Sequence, residues 1–244
     1  MKSYKDKIRE SFSNSAARYD QYTDLQKKMS DFIFKLLTKE YETILEVGCG
    51  TGILAGKLAE KYPGSKIIGL DIAPGMINYS SAKIKHSNVS FIEGDGEALP
   101  FPDQKFDLVI SSAALQWMAP EKAVSEASRV LKPGGRFIFS TFGPATLSEL
   151  KKAGLSVNSF PGKEDFKILL NKYFNKADIR SEIDLIDYES PIEAFRYLKN
   201  IGANVLIERK TKGLLTKKKL ISLFPQSEKG LTISFEIYYG DCVK

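Results

Sequence analysis

Between positions 43 and 141, short apolar runs alternate with amphipathic stretches. Thr43–Val47, Lys66–Leu70, Val89–Glu93, Phe106–Ser111 and Arg136–Thr141 have the length and character of strands. Ile53–Lys61, Pro74–Lys85 and Pro120–Leu131 carry helical spacing between them. Such a rhythm implies βαβ units, a parallel sheet and helices on both of its faces, which is a doubly wound α/β fold. Pro63-Gly64 and Pro133-Gly134-Gly135 punctuate the returns from helix to strand.

The flanks follow other rhythms. Two helices are expected first, near Lys5–Phe12 and Asp24–Thr38, the second with Leu25, Met29, Phe32, Ile33, Leu36 and Leu37 on one apolar face. Ser13–Tyr22 between them is polar and aromatic. After Phe142, helical stretches are expected at Thr146–Lys152 and Lys163–Tyr173, and a strand around Ile179, Ile183 and Leu185. Ser190-Pro191-Ile192-Glu193 is a helix start, with a Ser cap and Pro at the first helical position, and Gly202 is placed to end that helix. The last strand, Thr232–Tyr239, puts Ile233, Phe235, Ile237 and Tyr239 on one face.

Composition narrows the setting. Hydrophobic residues at 43% and charged residues at 27% are those of an ordinary globule, and no apolar run approaches the roughly 18 residues of a membrane helix. The charged start (Lys2, Lys5, Asp6, Lys7, Arg9, Glu10) lacks the apolar core of a signal peptide, so a cytoplasmic protein is expected. With Cys49 in a glycine loop and Cys242 near the end, neither a disulfide framework nor a metal site is expected. His86 is the only histidine, which weakens any mechanism built on a histidine base. The net charge of +6 suits an acidic partner without naming one.

The candidate chemistry begins at Ile44-Leu45-Glu46-Val47-Gly48-Cys49-Gly50-Thr51-Gly52, a strand entering a glycine loop that opens a helix. Glycines let the backbone turn tightly and approach a ligand closely. Ile53 stands where a dinucleotide fingerprint needs its third glycine. Asp71 follows about 20 residues later, placed to accept hydrogen bonds from ribose hydroxyls. The loop with its preceding acid resembles the first motif of class I methyltransferases, which implies S-adenosyl-L-methionine as cofactor. By that resemblance Met76 packs on adenine, Asp95 takes the adenine amino group and the Gly96 amide meets a ring nitrogen.

Further stretches resemble one family within that class. Phe12-Ser13-Asn14-Ser15-Ala16-Ala17-Arg18-Tyr19-Asp20, Ser111-Ser112-Ala113-Ala114-Leu115-Gln116-Trp117, Phe139-Ser140-Thr141-Phe142-Gly143-Pro144 and Glu236-Ile237-Tyr238-Tyr239 are similar to segments of the malonyl-acyl-carrier-protein O-methyltransferases of biotin synthesis. The chain departs from the family in a short stretch from 151 to 176 and in Ser112, where Asn is common. The resemblance implies a mostly parallel seven-stranded sheet with an N-terminal helical lid and a C-terminal antiparallel strand. It implies one domain over 1–244: helices and lid at 1–40, cofactor core at 41–142, and a substrate-side insertion with the last strands at 143–244. The implied cofactor site takes in Tyr19, Glu46, Gly48, Cys49, Gly50, Thr51, Gly52, Asp71, Ile72, Met76, Asp95, Gly96, Ser111 and Gln116. Tyr19 and Gln116 are also expected at the reacting methyl.

The implied substrate is malonyl-acyl carrier protein, and nucleic acid and membrane are not expected as partners. A carboxylate is ionised at pH 7 and needs no general base. The work left is alignment and exclusion of water. Arg129, Arg196 and Arg209 are candidate holders of a substrate carboxylate through their bidentate geometry. The basic stretch Arg209, Lys210, Lys212, Lys217, Lys218 and Lys219 is a candidate dock for an acidic carrier protein. Free dicarboxylates of the trans-aconitate type, a ubiquinone-type C-methylation and a non-catalytic cofactor-binding role are the alternatives the motifs leave open. A base-amine methyltransferase would carry an N/D-P-P-Y-type motif where Ser111-Ser112-Ala113-Ala114 stands.

Overall fold

Alternating faces of five strands build the first half of the sheet. A computed structural model describes residues 3–157, 159–201, 207–208, 223–224 and 230–244. Strands β1 (Thr43–Val47), β2 (Lys66–Asp71), β3 (Val89–Glu93), β4 (Phe106–Ser112) and β5 (Leu131–Phe142) are joined by helices α3 (Ile53–Lys61), α4 (Pro74–Lys83) and α5 (Pro120–Val130). All the pairings among these five strands are parallel. Two helices precede them, α1 (Tyr4–Tyr19) and α2 (Asp24–Lys35), linked by a 3-10 turn at Asp20–Tyr22. After β5 come α6 (Ser148–Lys152), β6 (Ser156–Val157), α7 (Lys163–Asn171), β7 (Lys176–Tyr188), α8 (Pro191–Asn200), β8 (Ile207–Glu208) and β9 (Leu231–Val243).

Among the described residues, seven strands form one sheet in the order β3-β2-β1-β4-β5-β9-β7, and β6 pairs with β8 apart from it. β9 runs antiparallel to both of its neighbours, as the expected fold requires. The order reverses between β1 and β4, and in such sheets ligands bind where the carboxyl ends of the strands part at that switch point.

The central strands β1, β4 and β5 bury both faces. Ile44, Ile110, Ile138 and Ile237 pack on one side against Met29 and Ile33 of α2 and Leu58 of α3. Leu45, Val109, Phe137 and Phe139 pack on the other against Val124 of α5 and Phe166 and Leu170 of α7. These two cores make the fold doubly wound, as the apolar rhythm implied. The helix start at Ser190 is also as expected: its hydroxyl accepts from the Glu193 amide at 3.2 Å, with Pro191 at the first helical position.

Two expectations change. The segment 13–19 is not a linker: α1 continues through it to Tyr19, because Ile8, Phe12, Ala16 and Tyr19 keep helical spacing and Ala16 packs on Ala73 and Met76 beside α4. Pro133-Gly134-Gly135 lies inside β5, where pairing jumps from Phe106 opposite Leu131 to Leu108 opposite Arg136. The strand expected around Ile179, Ile183 and Leu185 is β7, an edge strand on which Ile183 and Leu185 are 58% and 67% exposed. The helix stop at Gly202 and the basic residues from Arg209 to Lys219 lie outside the described residues.

Candidate active site

β1 delivers the chain into its glycine loop at the switch point. Gly48 (φ +74°) allows no side chain, since a Cβ there would collide with the Cβ of Ala114 after β4. The amides of Gly48 and Cys49 donate to the Leu70 carbonyl at 2.7 and 3.0 Å, which ties the loop to the end of β2. Gly50 (φ +52°) has nothing within 4 Å of the place a Cβ would take. Its amide donates to Asp71 Oδ2 at 2.9 Å, while Oδ1 accepts from the Ala73 amide at 2.9 Å. The Asp71 carboxylate is thus fixed at the mouth of the switch point. Burial raises its pKa, and the Ala73 and Gly50 amides pull it back.

Above this loop lies a cleft of about 1050 Å³ counted to its open mouth. Tyr19, Glu46, Gly48, Cys49, Gly50, Thr51, Asp71, Ile72, Met76, Asp95 and Gly96 all line it, so the structure brings together most of the residues expected from the sequence. α1 closes one side. Asp20 Oδ1 accepts from the Thr51 hydroxyl at 2.6 Å, and Oδ2 pairs with Lys83 at 2.5 Å. Ser13 Oγ accepts from the Gly75 amide at 3.2 Å, and Lys5 reaches Asp95 at 2.6 Å and Glu97 at 2.9 Å. The expected lid is therefore a whole helix laid across the cleft.

Two groups in this wall, the buried Glu46 and the partly buried Tyr19, are held neutral. Burial pushes the Tyr19 phenol well above its ordinary range, and the charge of Asp71 adds to it, so the hydroxyl keeps its proton. Burial, and then Asp71, push the Glu46 carboxyl up to about 8, against the Ala55 amide, which lowers it. Burial likewise raises the Cys49 thiol, which rules out a reactive thiolate at neutral pH.

A smaller cavity adjoins the cleft and shares Tyr19, Gln26, Ala113 and Trp117 with it. Gln116, Phe142, Thr146, Leu147, Leu198, Ile201 and Phe235 complete its lining. Ala113 takes φ +50°, a left-handed conformation costly for a residue with a side chain, and Trp117 meets Phe12 edge-on at 5.2 Å.

Three expected cofactor residues stand elsewhere. Ser111 is fully buried, and its hydroxyl donates to the Val47 carbonyl at 2.9 Å inside the sheet. Strand alternation turns Ser112, not Ser111, toward the cleft. Gly52 caps α3 behind the loop, where a Cβ would press on Phe91 and Ser80. Gln116 faces the smaller cavity, donating to the Ala113 carbonyl at 2.6 Å. Arg129 is committed to Glu126, Asp103 and the carbonyls of Leu99 and Phe101 and lines neither cavity, and Arg196 is exposed. Lys5, Phe12, Gln26 and Ser30 line the cleft without having been anticipated. Their signal was helical spacing: 5, 8, 12 and 19 on α1, and 26 and 30 on α2.

A seven-stranded sheet with one reversed strand, a glycine loop at the switch point and a carboxylate ending β2 together define a class I methyltransferase. Residues 45–139 match the methyltransferase domain family. The chain is 35% identical to the malonyl-[acyl-carrier protein] O-methyltransferase of Hahella chejuensis over 92% of this chain and 84% of that one. It is 34% identical to the biotin biosynthesis bifunctional protein BioHC of Teredinibacter turnerae over 96% of this chain and 46% of that longer protein. In fold it is similar to phosphoethanolamine N-methyltransferase 2 of Haemonchus contortus in complex with S-adenosyl-L-methionine, with a TM-score of 0.58, 16% identity and coverage of 89% of this chain and 52% of that one. The chain belongs to the malonyl-[acyl-carrier protein] O-methyltransferase family, whose methyl donor is S-adenosylmethionine. No described helix is long and apolar enough to cross a membrane.

Proposed function

We propose that this chain transfers the methyl group of S-adenosylmethionine to the free carboxylate of malonyl-acyl carrier protein in the cytoplasm, as a step of biotin biosynthesis. The family relationship supports the substrate, and the residues of the cleft fit the cofactor. Asp71 suits the ribose hydroxyls, Met76 and the Asp95–Gly96 turn suit adenine, and the buried Glu46 has an unpartnered oxygen that suits a cation. When bound, the cofactor supplies an electrophilic methyl on a sulfonium.

The observation that carries the acyl acceptor is the smaller cavity. Of its walls, Tyr19, Gln26, Gln116 and Thr146 are polar but neutral, and the rest is apolar. A malonyl thioester retains one free carboxylate, so the recognised group and the reacting group are the same. Neutral donors orient its oxygen without holding its charge, which matters because that charge is quenched as the oxygen–carbon bond forms. No proton must be removed, which agrees with a Tyr19 that keeps its own. Apolar walls such as Leu147, Leu198 and Phe235 keep water out.

The test is transfer of label from methyl-labelled cofactor to malonyl-acyl carrier protein, free malonate, trans-aconitate and RNA in parallel. The expected product is a base-labile methyl ester formed far faster on the carrier-linked substrate. Equal or faster labelling of free malonate or aconitate would make this a dicarboxylate methyltransferase.

A further inference from the structure

Three cavities meet at one short turn of the chain. Leu115–Trp117 is a 3-10 turn, and Met118 follows it. At about three residues per turn, successive side chains point roughly 120° apart and every third one shares a direction. Trp117 accordingly stands between the cleft and the smaller cavity, while Gln116 borders the smaller cavity and a third one. Leu115 and Met118, at positions i and i+3, both line that third cavity, which measures about 520 Å³ counted to its mouth.

Its walls come from α5, the end of β5, the start of α7 and β9. Val124, Phe160 and Phe166 make them mainly apolar, while Thr141, Ser159 and Tyr238 add hydroxyl-bearing side chains. Gln116 and Phe142 line both this cavity and the smaller one. The Phe142 ring meets Phe160 of the third cavity at 6.3 Å and Phe235 of the smaller one at 6.0 Å. Gln116 is held by the Ala113 carbonyl at 2.6 Å and more loosely by the Thr141 hydroxyl at 3.4 Å. Toward the cofactor the partition is close-packed: Met118 leaves no room for a Cβ on Gly96, which would come within 2.8 Å of its sulfur. A ligand in the third cavity therefore adjoins the acceptor, across Gln116 and Phe142.

The walls also restrict what that ligand can be. Among the described residues no charged side chain lines the cavity, so it offers no partner to a second carboxylate or a phosphate. A slender chain of methylenes and neutral amides does fit, its methylenes against the aromatic and aliphatic walls and its amides within reach of hydroxyls. The arm that joins a thioester to its carrier has this composition.

We infer that the third cavity receives the thioester-proximal part of the pantetheine arm that carries the acceptor, with Gln116 and Phe142 at the passage to the reacting group. The inference rests on the carrier-linked reading of the acceptor and adds the route by which that acceptor enters.

Steady-state kinetics with two acceptors tests it: malonyl-pantetheine, and monoethyl malonate, which keeps the free carboxylate and lacks the arm. The wild type should favour malonyl-pantetheine roughly tenfold or more in kcat/KM, since the arm contributes binding remote from the reaction. Ala123→Leu adds bulk to the buried wall and Ser159→Trp to the exposed rim. Each should raise KM for malonyl-pantetheine roughly tenfold. Turnover of monoethyl malonate and calorimetric affinity for S-adenosylhomocysteine should stay within about twofold of wild type, which also reports an intact fold. Should Ala123→Leu lose that affinity, the rim variant alone decides. Variants that keep the full thioester advantage would overturn the assignment and leave the carrier-linked substrate standing. A wild type with no thioester advantage would overturn the substrate reading, and this route with it.

Discussion

The hydroxyl of Thr51, in the glycine loop, donates to the carboxylate of Asp20, at the end of α1, at 2.6 Å. The same carboxylate pairs with Lys83 at the end of α4, so one side chain fastens the lid to both the loop and the helix beyond it.

Asp20→Ala should therefore loosen the lid without disturbing the sheet. Losing about 1 kcal/mol of latch would raise the open population roughly fivefold. Limited proteolysis between Tyr19 and Asp24 should accelerate to match, and added S-adenosylhomocysteine should slow it again. Cleavage at the wild-type rate would show that the latch does not hold α1.

Gly48 and Gly50 should fail in different ways. A methyl at 48 has no room beside Ala114, so Gly48→Ala should lower stability by about 1–3 kcal/mol in urea denaturation. A side chain at 50 projects into open space, so Gly50→Val should fold and lose cofactor affinity instead.

Asp71→Ala should cost roughly ten- to a hundredfold in S-adenosylhomocysteine affinity, measured by calorimetry, for loss of charge-assisted hydrogen bonds. Wild-type affinity would remove Asp71 from the cofactor site.

Glu46 should make the apo protein less stable as pH rises. Its folded pKa, near 8, is above the unfolded value of about 4.5, so the folded state holds the extra proton across that window. Stability present below about pH 4.5 is lost progressively toward pH 8. Urea denaturation at pH 5 and pH 8 should show a wild-type loss, relative to Glu46→Gln, of roughly a few kcal/mol. Identical pH slopes in the two proteins would place Glu46 in contact with water.

Charge reversal at Lys217, Lys218 and Lys219 should raise the Michaelis constant for malonyl-acyl carrier protein several-fold and leave kcat nearly unchanged, because steering acts before chemistry. Salt should erode the wild-type advantage as the screening length shrinks below about 8 Å. Steady-state kinetics at two ionic strengths decides it. A triple variant with the wild-type constant would remove this stretch from docking.

β1, β3 and α3 fall at the residues their apolar patterns marked, because Gly48 and Gly94 close the two strands and Gly52 opens the helix. α1 was cut short because Ser13, Asn14 and Ser15 look like a linker, whereas its buried stripe faces a ligand cleft more than a core. Gln26 and Ser30 keep helical spacing but were passed over for the same reason. A polar residue beside an apolar helical face is normally solvated, and only the tertiary fold shows that these two are enclosed. The motif that contains Ser111 identified the right strand end, but not the parity that sends its hydroxyl to Val47. Asp71 and Asp95 could be placed because one ends β2 and the other lies two residues past β3, and Met76 because Pro74 marks the start of its helix.

The late arrival of β9 has a consequence for biosynthesis. Arg136 to Phe142 pair with Ile237 to Val243, about a hundred positions further along the chain. Until the ribosome has released that stretch, β5 offers an open hydrogen-bonding edge backed by Phe137 and Phe139. Such edges recruit other strands, and non-local pairings close slowly. A nascent chain stalled before Leu231 should therefore be a substrate for chaperones, with its glycine loop already formed and its sheet still unfinished.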